Sequence, residues 1–499
     1  MALLIPLICI LITIATVVYL IFKFRYQYWA KRGVPYVDPI IPFGLRVKEN
    51  GKRRHFIYIL EEMYSKFKKT TPFAGAFFFL RPISVIIDLD LVHHILVKDF
   101  NNFSDRGSFY NERDDPLSAH LFSMRGQSWR NLRAKLTPTF TSGKMKFMYP
   151  TILKVAAEFD KTLSEMLEVD NVVEIKDILA RFTTDIIGTC AFGIECNTLK
   201  NPEAEFRKVS RLILGKPRNG VIVRAFLTQF PSLAVKFGVK QLPDEVSSFF
   251  MKIVTETVEL REKYGIRRND FMDLLIQMKN KNDSDTGRLT IEQIAAQSFL
   301  FFLAGFETSS TTMMFCLYEL AMNPEIQDKA KQEIEDVLKK HNGEFSYEAM
   351  MDMQYLDCII YETLRKYPPV ISLIRMANKD YIVPDSGKLI SKGMRAFIPI
   401  YSIHHDPDIY SNPEIFDPNR FTPEERRKRH PMSFLGFGDG PRNCIGLRFG
   451  QMQTRIGLVT LLRKYRFKVC VKTLNPMKFC VANPVLSPEN GLWLQIESV

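Results

Sequence analysis

The chain opens with an uninterrupted apolar run. Residues 2–22 contain no charged side chain and are rich in Leu, Ile and Val. As a helix, this run would be about 30 Å long, which matches the hydrocarbon thickness of a bilayer. A cleaved signal peptide would have a shorter apolar part with basic residues before it, whereas here they follow, at Lys23, Arg25, Lys31 and Arg32. The pattern predicts a transmembrane anchor over residues 1–22, with the rest of the chain on the cytoplasmic side.

A basic, proline-containing connector is predicted over residues 23–49, where several prolines disfavour helix and stiffen the chain. Beyond it, residues 50–499 contain no Gly/Ser-rich or Pro-rich linker, which favours one large domain. Apolar residues recur at helical spacing over most of this domain, and strand-like runs are shorter: 73–80, 82–88, 370–376, 395–404 and 467–493. The pattern predicts a mainly α fold with a smaller β-rich part, of the α+β class.

The longest helical pattern begins at a capping box, Thr290-Ile291-Glu292-Gln293, and runs to Asn323. It is apolar almost all round, which predicts a helix about 50 Å long that is buried through the middle of the domain. Polar residues interrupt it at 304–309, where the sequence reads Ala-Gly-Phe-Glu-Thr-Ser. Thr308 could hydrogen-bond its own helix backbone, but Gly305 and Glu307 beside it favour a locally opened turn.

Two shorter helical patterns carry polar pairs. Trp129 and Arg133 are four residues apart, and Glu362 and Arg365 are three apart, so that each pair shares a helix face. A packed Trp beside a solvated Arg, and a surface salt bridge of little energetic value, are the ordinary interpretations. The apolar segment 221–239 also allows two interpretations: helices that dip into a lipid interface, or ordinary core packing.

The composition indicates which cellular compartment and which classes of partner are compatible with the chain. Hydrophobic residues make up 46% of the chain, with 39 Phe and 20 Met, which suffices for a large core and an apolar cavity. The eight Cys include no Cys-x-x-Cys pair, which disfavours a disulfide framework or a zinc site and favours a reducing compartment. The net charge of +13 indicates an acidic partner surface or anionic lipid. Nucleic acid is not predicted as a partner, because the basic residues are scattered and no nucleic-acid motif accompanies them.

One cysteine lies in a setting that suits a metal. Cys444 follows a glycine-rich run, 434–443, and precedes a helical pattern over 447–465. Amide groups and the positive dipole at a helix entrance favour a thiolate, and Arg442 adds a cation two residues away. A soft anionic sulfur with hydrogen-bond donors aimed at it suits iron in a haem. A buried structural cysteine in a glycine-rich turn is the alternative.

The stretch Phe437-x-x-Gly440-x-Arg442-x-Cys444-x-Gly446 resembles the haem-ligand signature of the cytochrome P450 superfamily at every fixed position. The resemblance covers nearly the whole chain, because the other motifs follow in the family's order: the anchor, Trp129 with Arg133, 305–308, Glu362 with Arg365, and Arg420. It implies the haem-thiolate fold of that superfamily with a single N-terminal transmembrane helix, and a monooxygenase catalytic domain over residues 50–499. The sequence at 418–421 reads Pro-Asn-Arg-Phe, with Asn where many relatives have an acid, which removes a local charge partner of Arg420.

The resemblance implies a role for each motif residue. Cys444 would be the axial ligand to the iron of haem b (iron protoporphyrin IX), and Phe437 would shield its sulfur. Thr308 and Glu307 would be the catalytic residues that relay protons to bound dioxygen. A buried structural triad would consist of Glu362, Arg365 and Arg420. Five residues would bind the haem propionates: Arg106, Trp129, Arg133, Arg375 and Arg442.

The same resemblance implies electrons from NADPH, delivered by a membrane-bound flavoprotein, cytochrome P450 reductase, with cytochrome b5 as an optional second partner. It implies a single-pass protein of the endoplasmic reticulum (microsomal) membrane, with the catalytic domain on the cytoplasmic face. Basic residues near Cys444 are candidates for the docking face: Lys135, Lys144, Lys146, Arg448 and the run 426–429. Because charge runs are more often simply solvated, this docking face is a hypothesis.

The substrate is expected to be a lipophilic small molecule, because the segments expected to line the pocket are mainly apolar: 109–122, 301–304, 370–373 and 481–486. The residues that occupy these motifs, together with segment 110–118, resemble those of insect microsomal members of the family, which are associated with the detoxification of plant toxins and insecticides. A hydroxylase of endogenous hormones or lipids is the alternative. Two alternatives belong to other classes: a reductase-independent haem isomerase or dehydratase, and a haem sensor or carrier. The acid at Glu307 disfavours both.

Overall fold

The computed structural model describes residues 4–49, 52–215, 218–268, 270–280, 288–481 and 483–499. Helices dominate this part of the chain: α1 (Leu4–Arg25), α2 (Phe56–Phe67), α3 (Leu89–His93), α4 (Gly126–Leu136), α5 (Ser142–Leu167), α6 (Ile175–Ile187), α7 (Glu205–Leu214), α8 (Val221–Gln229), α9 (Pro231–Lys236), α10 (Asp244–Tyr264), α11 (Phe271–Asn280), α12 (Ile291–Met322), α13 (Pro324–Lys340), α14 (Tyr347–Asp352), α15 (Gln354–Lys366), α16 (Ile400–His404), α17 (Pro423–Arg427) and α18 (Leu447–Leu462).

The β-rich part consists of short strands: β1 (Lys48–Glu49), β2 (Lys52–Arg53), β3 (Phe73–Phe78), β4 (Arg81–Ile86), β5 (Val172–Glu174), β6 (Leu373–Met376), β7 (Tyr381–Ile382), β8 (Leu389–Ile390), β9 (Arg395–Ile398), β10 (Tyr465–Lys468) and β11 (Trp493–Ser498). A four-stranded sheet has the order β3-β4-β9-β6, in which only β4 and β9 run parallel. A three-stranded antiparallel sheet has the order β10-β11-β5. The mainly α fold with a smaller β part is confirmed.

Helix α12 is the centre of the α-helical part. Its N-cap is Thr290, whose side chain accepts from the Gln293 N–H while the Gln293 side chain accepts from the Thr290 N–H, as the capping box predicts. The helix has 32 residues, about 48 Å at 1.5 Å per residue, and most of its side chains are buried. It packs against α6, α10, α15 and α18. Because it is enclosed by other helices, it can be apolar all round.

A second apolar core lies under the four-stranded sheet and includes part of the predicted connector. Trp29 is fully buried there, and its Nε1 donates to the Ala76 carbonyl at 3.0 Å. The Trp29 ring lies so close to Gly75 that a Cβ at that glycine would be 2.4 Å from it. The connector is therefore fixed to β3 by packing as well as stiffened by prolines, and its first residues continue α1 as far as Arg25.

Three predicted strands need correction. The run 395–404 is a strand only to Ile398; Pro399 offers no N–H to continue the ladder, and α16 follows. A short, fully apolar run fits a buried strand or a buried helix equally well, so that periodicity could not separate them. The run 467–493, with a loop expected at 481–486, is strand only at its ends, and an isolated bridge pairs Phe479 with Pro488 between them. The run 370–376 begins as strand at Leu373.

Two helical regions are apolar at the surface. In α1 nearly every large side chain is exposed, and this stretch is long and apolar enough to cross a membrane. The other helix that passes this test among the described residues is α12, which is mostly buried. The segment 221–239 forms the short helices α8 and α9, with Ile222 85% and Phe237 71% exposed. Core packing therefore accounts for only part of this segment.

Candidate active site

Cys444 lies in a tight loop ahead of α18. The loop makes a 3₁₀ turn over Gly440–Arg442, and the Cys444 N–H donates to the Phe437 carbonyl at 2.9 Å. Gly440 has a φ of 71°, and a Cβ there would lie 1.9 Å from the Leu96 carbonyl oxygen. Only glycine fits at this position. The helix begins at Leu447, so that Cys444 lies at its entrance, as the sequence predicts.

The sulfur of Cys444 is both deep in the protein and accessible. Its side chain is exposed, yet burial raises its pKa above the ordinary value. A side chain that is surrounded by protein and still accessible faces an internal space. The Gly446 N–H, Arg133 and Arg106 lower this pKa without offsetting the burial. Burial therefore opposes the thiolate that the helix entrance and Arg442 favour, and a metal cation bound to the sulfur would favour the thiolate further.

Four arginines converge beside this cysteine. Arg442 is buried, donates from Nε to the Ser104 carbonyl at 2.6 Å and covers the Trp129 ring at 3.9 Å. Arg133 donates to both the carbonyl and Oδ1 of Asn443, and Arg106 donates to the Phe122 and Arg442 carbonyls. Burial, together with Arg375, Arg442 and Arg133, holds the pKa of Arg106 well below its usual range. The structure thus brings Arg106, Trp129, Arg133, Arg375, Arg442 and Cys444 into one site.

This cluster fits a dianionic ligand. Asp105, 3.6 Å from Arg442, is the one carboxylate that the described residues place within ion-pair distance of the four arginines. Arg375 is 1% exposed, its Nε has no hydrogen-bond partner, and burial lowers its pKa to about 10. A buried, unpaired cation is costly, so the site is stabilised by anions from outside the chain. Haem has two propionates and an iron that accepts a thiolate, which matches the arginines and the cysteine.

On α12, one face stays open at the predicted acid–hydroxyl motif. Ala304 is exposed and Thr308 partly exposed, whereas Phe306 and Ser309 are buried. The helix is unbroken here, and Thr308 Oγ1 donates to the Ala304 carbonyl at 2.8 Å. The expected opened turn is absent from this described segment, because the threonine hydroxyl bonds its own helix and the backbone ladder stays closed.

Glu307 points away from that open face into the contact between α12 and α6. Its side chain is 2% exposed, and its Oε1 accepts from the Lys176 ammonium at 2.8 Å. The ion pair explains how a carboxylate can be buried in an apolar helix. Lys176 was not predicted from the sequence, since no spacing or motif links position 176 to position 307.

The predicted Glu362–Arg365 pair is fully buried and not a surface bridge. Arg365 Nε and Nη2 donate to the two Glu362 oxygens at 2.7 and 2.8 Å, and Arg420 Nε lies 3.5 Å from Glu362 Oε1. Sequence analysis missed His404, which joins this pair to the cysteine loop. Its Nδ1 donates to the Arg365 carbonyl at 3.1 Å, and its Nε2 accepts from the Leu435 N–H at 2.9 Å.

Two of the segments expected to line a pocket are tied to neighbouring parts of the chain. The Leu121 N–H donates to Gln297 of α12 at 2.8 Å, which holds the segment 109–122 against that helix. The Leu486 N–H donates to the Pro369 carbonyl at 3.1 Å, which joins the segment 481–486 to the one before β6; Ala482 lies outside the described residues. Phe437 is partly buried and packs against the main core.

The predicted docking residues divide by their contacts. Arg429 donates to the Arg420 carbonyl and lies over the Tyr410 ring, so it is not a surface cation. Lys146 pairs with Glu348, and Lys428 with Glu425. Arg427 and Arg448 are exposed. Arg426 is also exposed, and Lys135 and Lys144 are partly exposed, so Arg429 is the candidate whose charge is directed into the protein.

Comparison with known proteins agrees with this site. The family model for Cytochrome P450 matches residues 49–494. Cytochrome P450 6a8 of Drosophila melanogaster is 48% identical over 95% of this chain and 95% of its own length. Cytochrome P450 6A1 of Musca domestica is 46% identical over 96% of this chain and 95% of its own, and cytochrome P450 6a2 of Drosophila melanogaster is 46% identical over 99% of both. The chain belongs to the cytochrome P450 family and is a haem-dependent monooxygenase.

Proposed function

We propose that this monooxygenase takes electrons from NADPH through a membrane-bound flavoprotein reductase and oxidises lipophilic small molecules, foremost xenobiotics such as plant toxins or insecticides. Cytochrome b5 is a second electron donor in this proposal. The observation that carries it is the unpaired Arg375, in a cluster of four arginines beside the accessible sulfur of Cys444. When bound there, haem supplies a redox-active iron at which dioxygen is activated, so that one oxygen atom enters the substrate and the other leaves as water.

The residues of the chain have distinct parts in this proposal. Cys444 Sγ is the iron ligand, and the half-buried Phe437 ring covers its side of the site. The propionates lie among the arginines and Trp129: Arg106, Arg133, Arg375 and Arg442 donate to them. Asp105, the one acid that the described residues place beside the four arginines, leaves three positive charges for two propionates, so the cluster retains its cationic character after binding.

Protons are supplied by the motif on α12. Thr308 lies on the open face of the helix, whereas Glu307 lies behind it with Lys176. The threonine hydroxyl holds a proton at Oγ1 and can present it to the site once it leaves the Ala304 carbonyl. Glu307 takes a proton from the Lys176 ammonium, which regains it from solvent, and passes that proton on to Thr308. Both roles are proposals for this chain.

The segments expected to line the pocket are mainly apolar, which supports a lipophilic substrate. Phe301 and Phe299 of α12 are buried in contact with other aromatic rings, including Phe271, His120 and Phe250. Burial lowers the pKa of His120 to about 4, so this residue is neutral at physiological pH. No charged side chain of the described residues in 299–306 anchors a substrate, which favours uncharged molecules.

The membrane surface and the partner surface are part of the proposal. We assign residues 1–22 to a single-pass anchor in the endoplasmic reticulum membrane, residues 23–49 to the connector and residues 50–499 to the catalytic domain on the cytoplasmic face. Exposed apolar side chains on α1 and on α8 and α9 support contact with lipid. Arg427 and Arg448 are exposed, and their positive charges favour an acidic reductase surface.

A reconstitution experiment tests the function. The purified chain is combined with a microsomal flavoprotein reductase, NADPH and lipid, with and without cytochrome b5, and is offered a set of plant toxins and insecticides and a set of steroid hormones and fatty acids. We expect NADPH-dependent products that carry one oxygen atom from ¹⁸O₂, mainly from the first set. Faster turnover of the second set would favour an endogenous hydroxylase.

Control reactions without NADPH or reductase distinguish a monooxygenase from a haem isomerase or dehydratase and from a haem sensor or carrier. Turnover that persists without NADPH and reductase would identify an isomerase or dehydratase. Haem binding with no turnover of either set would identify a sensor or carrier. Products that appear only with reductase, NADPH and dioxygen support the proposal.

A further inference from the structure

Five successive carbonyls of α12 accept a second hydrogen bond from a side chain, besides their place in the helical ladder. The carbonyls are those of residues 304–308, and their side-chain donors are, in order, Thr308 Oγ1 (2.8 Å), Gln453 Nε2 (2.8 Å), Thr183 Oγ1 (3.0 Å), Ser310 Oγ (3.1 Å) and Thr312 Oγ1 (2.8 Å). Such side-chain bonds compete with the backbone ladder and loosen a helix. These carbonyls belong to the motif that carries Glu307 and Thr308, where the helix remains unbroken.

Gln453 supplies one of these bonds from another helix. It lies on α18, nine residues after Cys444, and is 0% exposed. Its Nε2 donates to the Gly305 carbonyl at 2.8 Å and to Ser309 Oγ at 2.5 Å. Because a carbonyl can only accept, the amide nitrogen must face Gly305. The other amide atom, Oε1, is buried and has no partner among the described residues.

Packing alone does not account for an amide at this position. A methionine of similar length would fill the same space without leaving a buried oxygen unpaired, which is costly. While the turn is closed, the Gly305 carbonyl also accepts from the Ser309 N–H, as in any α-helix, so the Gln453 bond is not needed to satisfy it. The Gln453 bond becomes essential only when the Ser309 N–H moves away.

We propose that Gln453 is a positioning residue that allows the turn 305–309 to open, by holding the Gly305 carbonyl when the Ser309 N–H leaves it. Thr308 lies within this turn, and its hydroxyl donates to the Ala304 carbonyl while the turn is closed; opening the turn displaces that carbonyl and leaves the hydroxyl free to donate into the site. The inference rests on the proposed role of Thr308. Removing the amide makes opening more costly, because the Gly305 carbonyl would then be buried without a donor.

The test compares amide hydrogen exchange in haem-loaded full-length protein. Loss of Gln453 would free the Ser309 hydroxyl to replace it as a donor to Gly305, so both variants carry Ser309→Ala. We expect the peptide spanning 305–310 to exchange about fivefold to tenfold more slowly in Ser309→Ala/Gln453→Met than in Ser309→Ala, the factor set by one net hydrogen bond. A purely structural bond would give the opposite sign, because its loss accelerates exchange.

A matched control lies on the same helix. Gln451 donates to the Tyr361 hydroxyl at 2.8 Å and does not contact α12 in this way, so Ser309→Ala/Gln451→Met should leave exchange at 305–310 unchanged. In the reconstituted system, Gln453→Met should at least double the share of NADPH that appears as hydrogen peroxide. Where the methionine variant fails to bind haem, Ser309→Ala/Gln453→Leu removes the amide donors with another apolar side chain of similar size, and the same slower exchange is expected.

Unchanged or faster exchange in the Gln453 variants would overturn the inference. A wild-type protein without NADPH-driven turnover would overturn the proposed function instead, and the exchange comparison would still decide the role of Gln453. Slower exchange with more peroxide supports both.

Discussion

The Lys176 ammonium donates a 2.8 Å hydrogen bond to Oε1 of Glu307 across the contact between α6 and α12. The acid is 2% exposed and the lysine 19% exposed, so the lysine is the partner that reaches water. The pair therefore does two things: it compensates a buried carboxylate, and it places a proton donor between solvent and the acid of the active-site helix.

Replacing Lys176 by Met removes the charge and the proton donor but keeps most of the packing of the side chain. The variant keeps the length of the side chain and leaves the Glu307 carboxylate buried without a partner, which should lower the free energy of unfolding by about 2–3 kcal/mol. We expect product formation to fall about threefold and the peroxide share of NADPH consumption to rise. The carbon monoxide difference spectrum of the reduced haem should not change.

The control for this prediction is Lys161→Met. Lys161 lies 3.9 Å from Glu165, and both side chains are more than 60% exposed, so its loss should change neither stability nor coupling. Equal peroxide yields from wild type and Lys176→Met would remove the lysine from the proton path.

Arg365→Lys should be far more damaging than its chemistry suggests. The guanidinium makes two hydrogen bonds to Glu362 and further bonds to the His404 and Pro413 carbonyls, all in a fully buried site. A lysine ammonium cannot reproduce this planar set, so we expect a loss of about 3–5 kcal/mol and little haem-containing protein. Urea unfolding and haem content measure both effects.

A matched substitution at the surface is Arg211→Lys. Arg211 bonds Glu203 at 2.9 Å, with 46% and 62% of the two side chains exposed, and its replacement should cost about 0–1 kcal/mol. Normal stability and haem content in Arg365→Lys would show that the buried pair is not structural.

Because His404 is buried and neutral, we expect the folded protein to become less stable in mild acid. Burial lowers its pKa to about 3, so the folded protein leaves the imidazole neutral. The unfolded chain has an ordinary histidine pKa of about 6.5 and binds a proton below it. The contribution of His404 to the free energy of unfolding is therefore fully present above pH 6.5. It falls by about 1.4 kcal/mol per pH unit between pH 6.5 and pH 3.

His404→Gln should remove that part of the slope. The free energy of unfolding, measured in urea at pH 7.0 and pH 5.5, should differ between the two pH values by about 1–1.5 kcal/mol less in the variant than in wild type. Identical slopes for wild type and His404→Gln would contradict the prediction.

The elements were predictable from sequence where the signal is local. The capping box at Thr290 and the all-round apolar pattern after it define α12, and the glycine spacing defines the loop before Cys444. The run 395–404 was not predictable, because a short buried segment carries no face pattern. Here Pro399, which ends the strand, was the signal available.

The site was predictable through its motifs but not through its partners. Lys176, Gln453 and His404 each contact a motif residue from more than 30 positions away, and neither spacing nor composition marks them. The closed turn at Thr308 was missed for a different reason: sequence shows which bonds a hydroxyl can make, and only packing decides between them.

Cys444→Ser tests the iron ligand. A serine oxygen in the same loop would not give a thiolate-ligated iron, so the difference band that carbon monoxide produces with thiolate-ligated reduced haem should disappear. Cys470→Ser, at a half-buried free cysteine remote in sequence from the loop, should keep the band. A retained band in Cys444→Ser would exclude this cysteine as the ligand.

Replacing Arg375 should have opposite effects on the haem-free and the haem-bound protein. Its guanidinium is buried, donates only to the neighbouring Ile374 carbonyl among the described residues, and has an unpartnered Nε. Without an anion it should destabilise the fold, and with the propionates it should hold the haem. Arg375→Met should therefore raise the free energy of unfolding of haem-free protein by about 1–3 kcal/mol and speed haem loss at least tenfold. Urea unfolding and haem transfer to an acceptor protein measure the two. Arg466→Met, at a partly exposed arginine paired with Asp328, should change neither quantity. If Arg375→Met instead destabilises the haem-free protein, Arg375 does not need an external anion to compensate its charge.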